Sequence, residues 1–344
     1  MHVLFVERHG LEETEIPTDL DQTGADLVVL SFSDSDLGAF AEGWKRGFDL
    51  QGDEFPTLRL ANLAALKHPV SVDTYIEKTL AQAKGILIRL IGGVPYWSYG
   101  LQEVLKLAKN NKIACAVLPA DGREDLQLDE FSTLPTSTLR RLKEFCDTGG
   151  AVAAHAALAQ LALAAGLYVA PVRGTKTLDK YGAWTPELHV CSALDAFKEI
   201  STRKPLIVLT FYRSFITAAD LKPIIALFDA LRLRGFEVIG LFSPSLKIPD
   251  AADWIISQIK NFKPVCIVNA TSFSGKGSSG NSPLDAGDVP VFQVALSTSK
   301  RSAWKEADRG LSPADMAMHV VLPEVDGRIF SGVASFKEAG EKNA

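Results

Sequence analysis

GILIRLIGGVPYWSYG, residues 85–100, is the stretch on which the reading of the fold turns. Residues 85–91 are an apolar run of strand length, and a strand apolar on both sides suits a sheet covered on both faces. Gly92-Gly93 then lets the backbone turn sharply. From Trp97 to Asn110 the spacing is helical, so strand, glycine turn and helix follow one another as half of a crossover unit.

The same alternation extends in both directions. Strands are expected at 3–6, 27–32, 58–60 and 113–118, with helices at 37–48 and 72–83 between them. Downstream the order is strand 206–211, helix 219–234 closed by Gly235, strand 236–242, helix 251–261, strands 265–269 and 291–294, and helix 301–308. Alternation of this kind predicts an α/β fold of two Rossmann-like domains with mainly parallel sheets. The expected division is a first domain over 1–135, a helical intermediate segment and connector over 136–204, and a second domain over 205–344.

Composition sets outer bounds on function. The chain has 344 residues, 47% of them apolar and 22% charged, which describes a soluble globular protein. Its net charge of −5 opposes a broad nucleic-acid footprint. Cys115, Cys146, Cys191 and Cys266 are widely spaced, without zinc-like grouping, and fit a reducing compartment. The opening MHVLFVERHG lacks a basic leader region and a cleavage site, and reads as a strand. Residues 148–172 contain no Asp, Glu, Lys or Arg, yet they are rich in Ala and Gly and include His155 and Gln160. That composition predicts a packed interior helix instead of a membrane span. A cytoplasmic protein bound to neither membrane nor nucleic acid is the expectation.

Several familiar motifs fail on inspection. Residues 275–280 spell G-x-G-x-x-G after a strand, but Asn281, Ser282 and Pro283 continue the loop where a dinucleotide site needs a helix. The run 272–288 reads as a mobile surface loop. No G-x-x-x-x-G-K-[ST] phosphate loop and no G-x-S-x-G elbow occurs. His2, His9, His68, His155 and His189 lack paired spacing, so no metal ligands are assigned.

The segment LSPADMAMHVVLPEVDGRIFSGVASFKE, residues 311–338, is more particular. Ser312 is placed to cap a helix with Pro313 and Asp315 in its first turn. An apolar strand-like run at 320–322 follows, then Pro323, Glu324, an Asp326-Gly327 turn and Arg328. With the stretches at 87–100, 206–215, 266–274 and 283–294, this segment resembles the N-terminal third of the aerobic cobaltochelatase large subunit, the CobN family. That family is itself related to the large (H) subunit of magnesium chelatase. The chain departs from many relatives after Tyr212-Arg213, where it has Phe215 and Ala218-Ala219-Asp220 in place of a His and an Ala-Gly-Asn.

The resemblance implies the N-terminal portion, or a split part, of an enzyme inserting Co(II) into hydrogenobyrinic acid a,c-diamide in cobalamin biosynthesis. Cobalt would be the substrate metal, with magnesium the family's other choice. ATP would enter only through AAA+ type partner subunits, and the remaining part of the large subunit would be a further partner. The alternative is a non-catalytic module that binds tetrapyrrole or cobalt, or that serves assembly.

Candidate site residues follow from placement and from this resemblance. Gly92 and Gly93 end a strand where open α/β sheets hold ligands. Tyr96 and Trp97 beside them either stack on a flat macrocycle or pack their helix onto the sheet. Tyr212 and Arg213 end another strand, with the Arg fork suited to a carboxylate of the corrinoid or to a structural acid. Asn269 and Thr271 either orient a ligand or satisfy a turn. Metal insertion removes two ring N–H protons, and His319, Glu324 and Asp326 form a His/acid grouping close in sequence, with His319 and Glu324 the candidate catalytic pair, against a structural or domain-docking role.

Overall fold

The computed structural model describes residues 17–120, 125–170, 172, 178–201, 203–277, 280–308 and 310–337. The strand expected at 3–6 lies outside them. The chain forms two compact units, Met1–Thr177 with Ile216–Asp220, and Leu178–Phe215 with Leu221–Ala344.

In the first unit, strands β1 (Leu27–Ser31), β2 (Leu58–Asn62), β3 (Gly85–Leu90) and β4 (Ala114–Pro119) form a sheet in the order β2-β1-β3-β4. All three pairings are parallel. Helices α1 (Asp34–Gln51), α2 (Pro69–Lys78), α3 (Ser98–Asn111), α4 (Thr136–Thr148) and α5 (Gly150–Ala164) complete it. The period of two along each strand divides the core. Val28, Leu30, Ile86 and Ile88 pack with Val72 of α2 and with Leu101 and Val104 of α3. Leu27, Val29 and Leu87 pack with Phe40 of α1, Leu139 of α4 and Leu158 of α5. The charge-free helix α5 is buried along most of its length. A methyl at Gly43 of α1 would lie 2.7 Å from Cβ of Ala154, so small residues let these two helices approach closely. Among the described residues no helix is long and apolar enough to cross a membrane.

The second unit contains β5 (Gly182–Thr185), β6 (His189–Cys191), α6 (Ala193–Lys198), β7 (Leu206–Tyr212), the short α7 (Ser214–Thr217) that ends beyond the unit, α8 (Lys222–Leu233) and β8 (Glu237–Ser243). Then come α9 (Pro249–Phe262), β9 (Cys266–Asn269), β10 (Val291–Leu296), α10 (Arg301–Glu306), a helical segment over 313–324 and β11 (Ile329–Ser335). The sheet runs β11-β10-β9-β7-β8-β5-β6. It is parallel from β11 to β8, and β5 joins both β8 and β6 antiparallel. Trp184 of β5 meets the rings of Phe211 and Phe228 edge-on, at centroid distances of 6.0 and 5.3 Å.

Two mainly parallel sheets are therefore present, as the alternation predicts. Three features differ from the sequence reading. The stretch 136–204 makes no separate element: α4 and α5 belong to the first unit, whereas β5, β6 and α6 build the second. Residues 320–322 are helical, and the strand comes later, at Ile329–Ser335. The β-branched pair Val320-Val321 favours a strand locally, but buried Asp315 and His319, four residues apart, fix a helical face. The loop after β9 is also firmly anchored, as shown below.

The parallel strands of each sheet reverse their order of addition once, between β1 and β3 and between β7 and β9. Such switch points open a crevice at the strands' C-terminal ends. Near the first lies Arg89, buried at the end of β3. Its Nε is 3.2 Å from Asp36 of α1, and its Nη1 donates to the Pro119 carbonyl at 2.8 Å and lies 3.4 Å from Asp147 of α4. Removing one partner of a buried ion pair is strongly destabilising, and both carboxylates here keep some contact with water, so Arg89→Met should lose about 3 kcal/mol of stability. Urea unfolding with an unchanged slope and a lower midpoint would show it, and a loss below about 1 kcal/mol would contradict this account.

Candidate functional site

At the end of β3, Gly92 and Gly93 adopt φ of 84° and 80°, a left-handed backbone that glycine takes without strain. A methyl on Gly92 would sit 2.3 Å from the Tyr96 ring, so that ring lies over the turn, and it is 66% exposed. Trp97 points the other way. It is buried, donates Nε1–H to the Leu66 carbonyl at 2.8 Å, and rests on Gly100. A Trp with its N–H satisfied inside the core is packing, so of the two aromatics only Tyr96 faces outward.

At the second switch point, Tyr212 donates its hydroxyl to the Ser272 carbonyl at 2.7 Å. Arg213 donates Nε–H to the Asp179 carbonyl at 2.9 Å and Nη2–H to the Leu178 carbonyl at 3.1 Å. Burial presses the Arg213 guanidinium below the ordinary arginine range, with Asp179 acting against it. Two backbone carbonyls orient the fork, and no carboxylate among the described residues pairs with it.

Asn269 and Thr271 lie deeper, in a buried polar chain that crosses the strand ends. Thr210 and Thr271 donate their hydroxyls to Asn269 Oδ1 at 2.6 and 2.9 Å. Asn269 Nδ2 donates to Gln293 Oε1 at 2.7 Å, and Gln293 Nε2 to the Thr271 carbonyl at 2.8 Å. Arg328 Nη1 donates to Gln293 Oε1 and to the Phe273 carbonyl, each at 3.2 Å. Its Nη2 is 2.7 Å from Asp326, and both side chains are almost fully buried. Asp326 in turn accepts from Ser274 Oγ at 2.5 Å and Gly275 N at 2.6 Å. Lys276 donates Nζ–H to the Val325 carbonyl at 2.8 Å. The Gly/Ser-rich run is thus held at its start by a buried carboxylate, and Asn269 and Thr271 spend their capacity inside the protein.

The proposed catalytic pair is divided between interior and surface. Ser312 caps the helix by accepting from Asp315 N at 3.1 Å. Fully buried Asp315 accepts from Ser297 Oγ at 2.6 Å and Thr298 Oγ1 at 3.0 Å. His319 is buried too, with Nε2 3.9 Å from Asp315 Oδ1 and Nδ1 without a partner. Glu324 faces solvent. Among the described residues no three His, Cys, Asp or Glu side chains are grouped to hold a metal ion. Sequence reading missed Arg89, although a lone arginine in the strand GILIRL was a signal that a buried charge needed partners. Asp326, read in sequence as a turn residue and as an acid of the His319 grouping, anchors the neighbouring loop.

Residues 143–344 match the CobN/Magnesium Chelatase family. The chain belongs to that family. It is 32% identical over 350 residues to the aerobic cobaltochelatase subunit CobN of Sinorhizobium sp., and 31% identical over 343 residues to that of Pseudomonas aeruginosa. Each match takes in 98% of this chain and 27% of the relative, so the chain spans about a quarter of the length of these curated relatives. In fold it is similar to the catalytic subunit of cobaltochelatase from Mycobacterium tuberculosis. The TM-score is 0.67 and the identity 24%, over 92% of this chain and 25% of that one. The strand ends and turn within 206–215, 266–274 and 311–337 supply most of the buried chain.

Burial pushes the His319 imidazole below the ordinary histidine value, and the Asp315 carboxylate opposes the shift. His155 is lowered as well, by burial first and then by Arg46. The unfolded rings titrate near 6.5. Below that pH the unfolded state takes up protons that the folded state refuses. Stability should therefore be complete above about pH 7 and fall as pH drops toward the folded values, by at most about 1.4 kcal/mol per pH unit per histidine. His319→Gln should lose less stability than the parent between pH 7.5 and 5.5 (roughly, the window set by that reference value). Identical losses in urea titrations would refute the assignment.

Proposed function

We propose that this chain forms part of a cobaltochelatase large subunit and helps to hold the carboxylated tetrapyrrole that receives Co(II). The single observation carrying this reading is Arg213. Its guanidinium stands at the C-terminal end of β7, against the residues that lead into β5, oriented by two backbone carbonyls. A fork held by neutral groups keeps its charge available to a ligand carboxylate. Within the first unit, and independently of Arg213, Tyr96 is exposed over the Gly92-Gly93 turn and offers a ring face of the kind that packs on a flat macrocycle. Cobalt is the substrate metal in this reading, and hydrogenobyrinic acid a,c-diamide the acceptor. ATP hydrolysis falls to partner subunits of the AAA+ type.

Insertion must release two protons from ring nitrogens. Of the proposed pair, Glu324 is the one open to solvent, and this reading gives it the role of proton acceptor. His319 acts on its helix instead. The burial of His319, with Glu324 exposed, also favours a second reading, in which this part of the subunit binds tetrapyrrole and metal insertion is completed elsewhere.

Absorbance and fluorescence titrations against carboxylated corrin and porphyrin precursors, free-base and metallated, test the proposal. Arg213→Ala should weaken binding by about 2 kcal/mol and flatten its dependence on ionic strength. Tyr96→Ala should cost about 1 kcal/mol and leave the salt dependence unchanged. Trp97→Ala should instead lower stability by about 3–5 kcal/mol, as loss of a core aromatic does. Unchanged affinity in a folded Arg213→Ala variant, or a parent without affinity for any tetrapyrrole, would overturn the reading.

A further inference from the structure

A sheet edge leaves one side of a strand's N–H and C=O groups unpaired, and proteins usually shorten, cover or charge such strands. Three of the four edges here follow that rule. Along β4, Cys115 N donates to Thr133 Oγ1 at 2.8 Å, Val117 N donates to Ser132 Oγ at 2.9 Å, and Thr133 N donates to the Cys115 carbonyl at 2.9 Å. At β2, Gln22 Nε2 and Arg59 Nη1 donate to the carbonyls of Leu60 and Leu58 at 3.0 and 3.1 Å. The edge strand β6 is only three residues long.

Strand β11 is the exception. It runs seven residues, IFSGVAS, with no charge and no proline, and among the described residues it pairs only with β10. Two register shifts bend it against β10. Among the described residues, its outer side gains only the Ser331 hydroxyl, which donates to the Ile329 carbonyl of the same strand at 3.2 Å. Ile329 and Phe330 are exposed, and so are Val321, Leu322 and Val325 in the helix and turn leading to the strand. Five large apolar side chains stand in the open over ten residues, next to an edge that no other described strand covers. Exposed apolar surface of that kind marks a binding face.

We infer that β11 and its apolar shoulder are a docking edge for an extended apolar segment from the rest of the large subunit. This rests on the reading of the chain as part of that subunit. Relatives matching 98% of this chain carry nearly three quarters of their length outside the match, since it takes in 27% of each. That polypeptide has to pack somewhere, and the uncovered edge accepts a strand by backbone pairing, while the shoulder takes its apolar side chains.

Single-cysteine labelling tests this without reference to tetrapyrrole binding. Phe330→Cys and, as a smaller change, Ala334→Cys are made in this chain and at the aligned positions of full-length Sinorhizobium CobN. Maleimide modification of the peptide carrying the new thiol is followed by mass spectrometry, which separates it from the four native cysteines. Both thiols should react as exposed groups in this chain, and at least about tenfold more slowly in the full-length relative, with equal rates in denaturant. Equal rates in the two native proteins would overturn the inference. So would protection in this chain that grows with its concentration, since a second copy would then cover the edge. Either result leaves the proposed role of Arg213 standing.

Discussion

A parallel sheet covered by helices on both faces leaves its strand ends as the places where polar groups collect, and groups buried there must be paired within the protein. Both units meet this constraint at the C-terminal edge. In the first, Arg89 ties the end of β3 to α1, α4 and the last residue of β4. In the second, a chain of side-chain hydrogen bonds runs from Thr210 through Asn269 and Gln293 to Arg328 and Asp326. Each arrangement links elements far apart in sequence, so packing around it is all-or-none: a single missing partner strands a buried charge.

The two edges use the same strand order differently. Around Asn269 the polar capacity is spent on shape, and the loop from Ser272 is fixed by Asp326 and the Tyr212 hydroxyl. Around Gly92-Gly93 the backbone turns under an exposed Tyr96. Arg213 stands between these cases, held at its base by carbonyls yet without a carboxylate partner among the described residues. Rigid placement of a few outward groups by a saturated interior is how a site gains precision without many ligand contacts.

Much of the architecture was legible because strand and helix periods alternate cleanly along the chain. Strands β1, β3, β4, β7 and β8, buried on both faces, read as unbroken apolar runs. What escaped was of another kind. The antiparallel strands β5 and β6 are short and polar-flanked, and only pairing with β8 gives them a sheet to join. The 313–324 helix hides behind Val320-Val321, whose local preference yields to the anchoring of Asp315 by Ser297 and Thr298. Partners such as Gln293 and Arg328, 35 residues apart, leave no periodic trace. Trp97 and Tyr96 are adjacent, and only the structure shows that one is core and the other surface.

The helix that links the two buried carboxylates of the second unit contains a π-turn, Ala317–Val321. Such a turn takes up one residue more than an α-turn and so advances everything after it by about 100°. Upstream Asp315 is fastened to Ser297 and Thr298, and downstream Asp326 is fastened to Ser274 and Gly275. The number of residues between these fixed points is thereby counted. A chain one residue shorter there would regain a regular helix and lose the phase that serves both ends, so single-residue deletions in this stretch face a barrier that substitutions do not.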